Sequence, residues 1–178
     1  MSWFHKHVRG GIVMMVTIGF SLACSLGQSG ELPQAVVERY CKLDADGANF
    51  SAANPNAKEI LSLLINEDEA GYDTSVIIKS YQIGKATIHH TSADVDVIYS
   101  DLGSLGGELS AKKSLHSETV TFHLALVSNA WKIDGLRIPP HITKSWVMSM
   151  LSRSRSADEH SGKNDPRLRA AIAEISRW

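Results

Sequence analysis

Cysteine is scarce in this chain: 178 residues carry two thiols, Cys24 and Cys41. A fold so poor in cysteine takes its stability from packing, not from disulfide staples. An excess of charge of one sign is also missing, with 18 basic and 19 acidic groups and a formal net charge of −1. That balance leaves no electrostatic footprint for nucleic acid. Chemical signatures are equally thin. Gly103, Gly106 and Gly107 are not followed by Gly-Lys-Ser/Thr and open no helix, so they read as a flexible connection and not as a phosphate loop. No Gly-x-Ser-x-Gly and no Cys-His pairing offers a nucleophile. Nor does the adjacent pair His89–His90 make a chelate, because neighbouring residues on a strand point to opposite faces and no carboxylate stands at ligand spacing.

What is present begins with an apolar run. Lys6 and Arg9 precede Gly11–Ala23, 13 strongly apolar residues, and no charge follows until Glu31. The run suits the apolar region of a secretory signal and is shorter than the roughly 18–20 residues of a spanning helix, although a retained anchor is a further reading. Ser21 and Ala23 satisfy the small-x-small rule of an ordinary cut, and the same residues read as Ser-Leu-Ala-Cys resemble the bacterial lipobox with Cys24 as the lipidated N-terminus. Lipidation of Cys24 is the reading adopted, with cleavage by ordinary signal peptidase as the alternative. It implies export to the cell envelope, on the periplasmic side and anchored to the outer membrane, or otherwise a soluble periplasmic or secreted protein. The expected division is a signal peptide at 1–23, a tether at 24–31, one domain at 32–152, and a polar linker with a short C-terminal helix at 153–178.

Within the body, periodicity changes from helical to extended. Pro33 suits a first helical turn, and Leu32, Val36, Tyr40 and Leu43 share one face of a helix ending near Gly47–Asn49. Cys41, beside Tyr40 within that pattern, reads as a small buried side chain. Asn54 and Pro55 read as the cap and first residue of a second helix, with Ala57, Ile60, Leu61 and Leu64 inward, stopping near Gly71. From Asp73 the period is two. A strand with a break or bulge at Gly84 returns after Thr91–Ser92 through Ala93, Val95, Val97 and Tyr99 on one face. A second hairpin places Val120, Phe122, Leu124 and Leu126 on one face and turns at Ser128–Asn129 into Trp131–Gly135. Pro139–Pro140 reads as the end of the sheet, Thr143 as a helix cap, Ser152–Asn164 as a linker, and Asp165–Pro166 as the start of a last helix bearing Leu168, Ile172 and Ile175. So short a helix is marginal alone and needs a surface to dock on.

Helices followed by antiparallel strands make an α+β pattern. The opening helix VVERYCKLDADGANFS, the strands GYDTSVIIKSYQI and ADVDVIYSDLG, and the closing hairpin TVTFHLALVSNAWKIDGL together resemble the nuclear-transport-factor-like superfamily, which includes ketosteroid isomerase and scytalone dehydratase. The likeness covers roughly Leu32 to Leu151. It implies N-terminal helices packed in a strongly curved antiparallel sheet, a cone-like α+β barrel with an apolar pocket, here with an additional C-terminal helix that plugs the open end or forms a partner surface. Enzymes of that group use pocket Asp, His and Tyr residues. The matching types here are Tyr40, Asp44, Tyr81, Tyr99, Asp101, His123 and His141. Asp94, Asp96 and Asp101 read most simply as the wet face of a strand, while the face of His123 is open. No metal and no cofactor is expected.

Two classes of function survive. One is a non-enzymatic envelope protein whose pocket or sheet face takes a small apolar ligand or another envelope protein, with homodimerisation through the sheet as a further partner reading. The other is a small lyase, isomerase or hydrolase using the pocket residues. The membrane is a partner through the lipid or signal anchor, and nucleic acid is not.

Overall fold

The computed structural model describes residues 30–66, 72–135 and 138–178. Cys24 and the apolar run before it lie outside the described residues, and no helix among those described is long and apolar enough to cross a membrane. Among the described residues the architecture is α+β: four α-helices and a strongly curved five-stranded sheet forming a half-barrel.

Helix α1 (Pro33–Ala45) starts with proline in its first turn and buries Val36, Val37, Tyr40, Cys41 and Asp44. It stops in a Schellman arrangement. Gly47, at φ +75°, donates to the Asp44 carbonyl at 2.8 Å, and the Ala48 N–H reaches back to Leu43 at 3.0 Å. Helix α2 (Ala57–Ser62) is shorter than its apolar spacing predicts. Asn54 does not cap it. Its Oδ1 instead accepts from the Asn56 N–H at 2.9 Å and organises the preceding turn. The helix ends because an edge strand competes for the backbone: Ile133 N–H donates to Leu63 O at 2.8 Å, and Ile65 N–H to Ile133 O at 2.9 Å.

Strand β1 (Thr74–His89) pairs antiparallel with β2 (Ser92–Gly106), and its register shifts between Ile83 and Ala86, around Gly84. A Cβ on Gly84 would stand 2.8 Å from the Asp96 carbonyl, so the bulge needs glycine for a close backbone approach. The anticipated face of β2 is buried at Ala93, Val95, Val97 and Tyr99. Strand β3 (Ala111–Val127) starts earlier than the sequence reading placed it, because β2 runs on past Gly103 and offers partners down to Ala111. Ser128 and Asn129, at φ 49° and 66°, form a two-residue turn into β4 (Ala130–Ile133).

The prolines do not end the sheet. His141–Thr143 form β5, parallel to β1 at Val76–Ile78, so the sheet is mixed and ordered β4-β3-β2-β1-β5. Pro139–Pro140 are tolerated because β5 is a short edge strand, and the Pro140 carbonyl still accepts from Val76 N–H at 2.8 Å.

Helix α3 (Lys144–His160) is capped as expected, with Thr143 Oγ1 accepting from Trp146 N–H at 3.3 Å. It continues through the serine-arginine stretch read as linker. There Arg155 and Glu159, one turn apart, pair at 3.5 Å. A short turn at Ser161–Asn164 leads to α4 (Pro166–Ser176), capped by Asp165, whose Oδ1 accepts from Arg167 N–H at 2.9 Å.

Among the described residues two apolar clusters result. The first joins α1 and α2 to the inner face of the sheet through Val37, Tyr40, Ile60, Ile78, Val97 and Phe122. Ile77 and Ile142 alternate with residues of that face and turn away from it. They meet Leu105, Val147, Leu151, Leu168 and Ile175 in the second cluster, where α3 and α4 dock on the body.

Candidate functional site

A cavity of about 600 Å³ opens between the α1–α2 connection, α2, the start of β1, the end of β2 and Met150 of α3. Its lining includes Ala48, Phe50, Ile60, Leu105 and Pro140, and also the acidic residues Asp73 and Glu108. Phe50 is held edge-on to Trp146, the ring centroids 5.2 Å apart. The chain at Gly107–Leu109 (a single 3₁₀ turn) carries φ +55° at Glu108 and +62° at Leu109, which are strained values for residues with side chains.

None of Tyr40, Asp44, Tyr81, Tyr99, Asp101 or His123 is among the described residues lining this cavity. Three of them, Tyr40, Tyr99 and Asp44, are buried core groups, each held by a different partner. Tyr40 packs edge-on to Phe122 at 5.5 Å and accepts from Asn49 Nδ2 at 3.2 Å; burial pushes its hydroxyl well above the usual range. Tyr99 OH and Cys41 Sγ are 3.3 Å apart, and burial pushes the Cys41 thiol up to about 12 and the Tyr99 phenol up too. Asp44 Oδ2 accepts from the His141 backbone N–H at 2.8 Å, while desolvation raises its carboxyl to about 7. Tyr81 is half-buried beside Tyr99, the rings 6.3 Å apart and tilted; burial raises its phenol as well.

His123 faces away from Phe122 and stands on the exposed side, its Nδ1 2.7 Å from Asp94 Oδ1. Asp96, also exposed, accepts from Thr121 Oγ1 at 2.6 Å. The wet-face reading therefore holds for Asp94 and Asp96 and fails for Asp101. Asp101 is an odd number of residues from both, so strand alternation turns it inward with Tyr99, and its side chain is 1% exposed.

Around Asp101 the structure gathers a polar group that sequence reasoning missed. His116 lies directly opposite it on β3, with Nε2 2.9 Å from Asp101 Oδ2. Glu118, opposite Tyr99, accepts at Oε1 from Nε2 of buried His141 at 2.9 Å. Desolvation and the neighbouring Glu118 raise the Asp101 carboxyl, and His116 and His141 pull it back. Asp101, His116 and Glu118 have ligand-type atoms all within 4.8 Å of one another. The missed signal was parity. His116 and Glu118 continue the even-numbered face of Val120 and Phe122, but the strand reads as opening only at Glu118, and His116 falls between it and the glycine-, serine- and lysine-rich connection that ends at Ser114. His89 and His90 sit exposed at the other end of the sheet, at the β1–β2 turn. No family model matches the chain, and no curated protein and no solved structure matches it significantly.

Proposed function

We propose that this is an envelope-anchored, non-enzymatic binding protein whose cavity takes a small, largely apolar ligand. The half-barrel is read as a member of the cone-shaped, nuclear-transport-factor-like group, carried to the envelope by the N-terminal signal and held there through lipidated Cys24. One observation carries the binding reading. The cavity of about 600 Å³ has more apolar than polar wall, its alanine, isoleucine, leucine, phenylalanine, proline and methionine side chains standing beside Thr74, Ser75, Asp73 and Glu108, and the candidate residues Tyr40, Asp44, Tyr99, Asp101 and His123 lie elsewhere, in the core or on the opposite strand face. A hollow of that size and lining is typical of small-molecule sites. The competing reading, a small lyase, isomerase or hydrolase, draws on the His116–Asp101 and His141–Glu118 pairs, which are His-carboxylate couples of the kind used for proton transfer.

The test uses protein recovered from envelopes. Native mass spectrometry and solvent extraction are expected to show a co-purifying apolar molecule, and the neutral fluorophore N-phenyl-naphthylamine is expected to bind saturably. Ala57→Trp, which projects an indole into the cavity from the start of α2, is expected to weaken dye binding at least tenfold with far-UV dichroism unchanged. Dye binding that does not saturate, or that ignores Ala57→Trp, defeats the binding assignment. For the location, Cys24→Ser is expected to release the chain into the soluble fraction. Unprocessed protein dissolved in the cytosol defeats that part alone.

A further inference from the structure

We propose that Asp101, His116 and Glu118 form a site for a divalent first-row transition ion, zinc the best match, on the inner face of β2 and β3, with His141 positioning the Glu118 carboxylate. The backbone places the donors first. Asp101 and His116 are direct antiparallel partners, and Glu118 lies two residues along β3 on the same face. All three therefore project from a hydrogen-bonded ladder, not from a loop. Their ligand-type atoms stand within 4.8 Å of one another. Donors at about 2.0–2.2 Å around a tetrahedral ion are roughly 3.3–3.6 Å apart, so closing on an ion takes a contraction of about 1.5 Å at most. His116 and Glu118 have the freedom to supply it, their side chains being 52% and 40% exposed.

Asp101 is the independent sign that something binds there. Its carboxylate is buried, and neither oxygen takes a directed hydrogen bond; His116 Nε2 is near enough but not aligned. A buried carboxylate without directed donors and with a second carboxylate, Glu118, beside it is costly, and a cation between the two removes both the desolvation and the repulsion. The donor set of one imidazole and two carboxylates favours zinc and its transition-metal neighbours over calcium or magnesium, which take oxygen ligands. A three-residue set at a half-exposed rim also leaves a fourth position open to water or to a ligand.

His141 completes the arrangement from outside the ligand set. It holds Glu118 Oε1 at 2.9 Å, and is itself fixed by its stack on Tyr99 at 4.0 Å and by its backbone N–H to Asp44. Partners of this kind orient metal-binding carboxylates and commonly contribute about 10- to 100-fold in affinity.

The full chain, freed of metal with a chelator, is titrated with Zn²⁺ against a chromophoric competitor and separately with Co²⁺ by visible absorption. One ion per chain with micromolar or tighter affinity is expected. Asp101→Asn and His116→Ala should each weaken it at least tenfold. The exposed control His123→Ala should leave it unchanged. His116→Ala guards against misfolding, because that side chain is half-exposed. His141→Phe keeps the stack on Tyr99 and is expected to weaken binding about tenfold and to shift the Co²⁺ bands, which a purely structural role would not do. Millimolar affinity, or binding that survives both Asp101→Asn and His116→Ala, overturns the site. Co²⁺ bands identical with and without His141 overturn the positioning role.

Discussion

The imidazole of His141 lies over the phenol ring of Tyr99, with centroids 4.0 Å apart and planes 25° from parallel. The two residues belong to β5 and β2, which have β1 between them in the sheet, so the stack is a contact created by curl. Tyr99→Phe keeps the ring and removes only the hydroxyl that meets Cys41 Sγ at 3.3 Å, and should cost about 1 kcal/mol. Tyr99→Ala also removes the packed ring and should cost about 3–5 kcal/mol. Urea unfolding measures both, and equal losses would assign the stabilisation to the hydroxyl instead of the ring.

Asp44 makes stability depend on pH. Its carboxyl is held at about 7 in the folded chain against an ordinary 3.8, so between those values the folded state binds more protons than the unfolded one. The contribution is fully present below about pH 4, falls as pH rises towards about 7, and is level above; the whole change is about 4 kcal/mol. Asp44→Asn keeps an oxygen for the His141 N–H and removes the ionisation. Melting curves from pH 4.5 to 8 should therefore show a shallower slope for the variant and a midpoint several degrees above the parent at pH 8. Parallel slopes would show that another group carries the dependence.

Gly47 is required twice over. Its φ of +75° disfavours a side chain, and a Cβ there would fall 2.2 Å from Cζ2 of Trp146. Gly47→Ala should cost about 3 kcal/mol, from backbone strain and from displacement of the indole. In a Trp146→Ala background only the backbone part remains, so the same substitution should cost less. An unchanged cost across this double-mutant cycle would leave the indole out of the account.

The Cys41 thiol is 1% exposed and pushed up to about 12, so it is both unreachable and protonated at neutral pH. In a Cys24→Ser background, iodoacetamide should leave the folded chain unmodified over a period that fully alkylates the unfolded chain. Labelling should follow urea unfolding measured by fluorescence. Rapid modification of native protein would mean that α1 opens locally.

Helix α4 is stabilised by what it covers. Ile175 is fully buried against the second cluster, and Ile175→Ala should cost about 2–5 kcal/mol. Arg169→Ala on the exposed side of the same helix should stay within about 0.5 kcal/mol. Similar small effects at both positions, read by thermal unfolding, would mean that α4 is not docked in solution.

Local patterns were legible wherever one residue type or one period dominated. The buried face of α1, the bulge at Gly84, the Ser128–Asn129 turn and the caps Thr143 and Asp165 all follow from residue chemistry within a few positions. Elements that depend on a distant partner were not legible. Helix α2 stops early because Ile133 claims the backbone of Leu63 and Ile65, and β5 exists because β1 offers it an edge. The first part of β3 and the second half of α3 have loop-like composition, and each is recruited by a neighbouring or continuing element.

The sequence by itself determined the two periodicities, the inward face of β2 from Ala93 to Tyr99 and of β3 from Val120 to Leu124, and the burial of Cys41, because these follow from alternation and side-chain solubility. Only the tertiary structure decided the polar cluster. In a flat sheet with strands about 4.8 Å apart, β3 and β5 would be roughly 14 Å apart, beyond hydrogen bonding between their side chains. Curvature brings His141 to 2.9 Å from Glu118, beside Asp101 and His116. That curvature arises from apolar side chains closing around α1, and nothing in the spacing of those four polar residues along the chain encodes it.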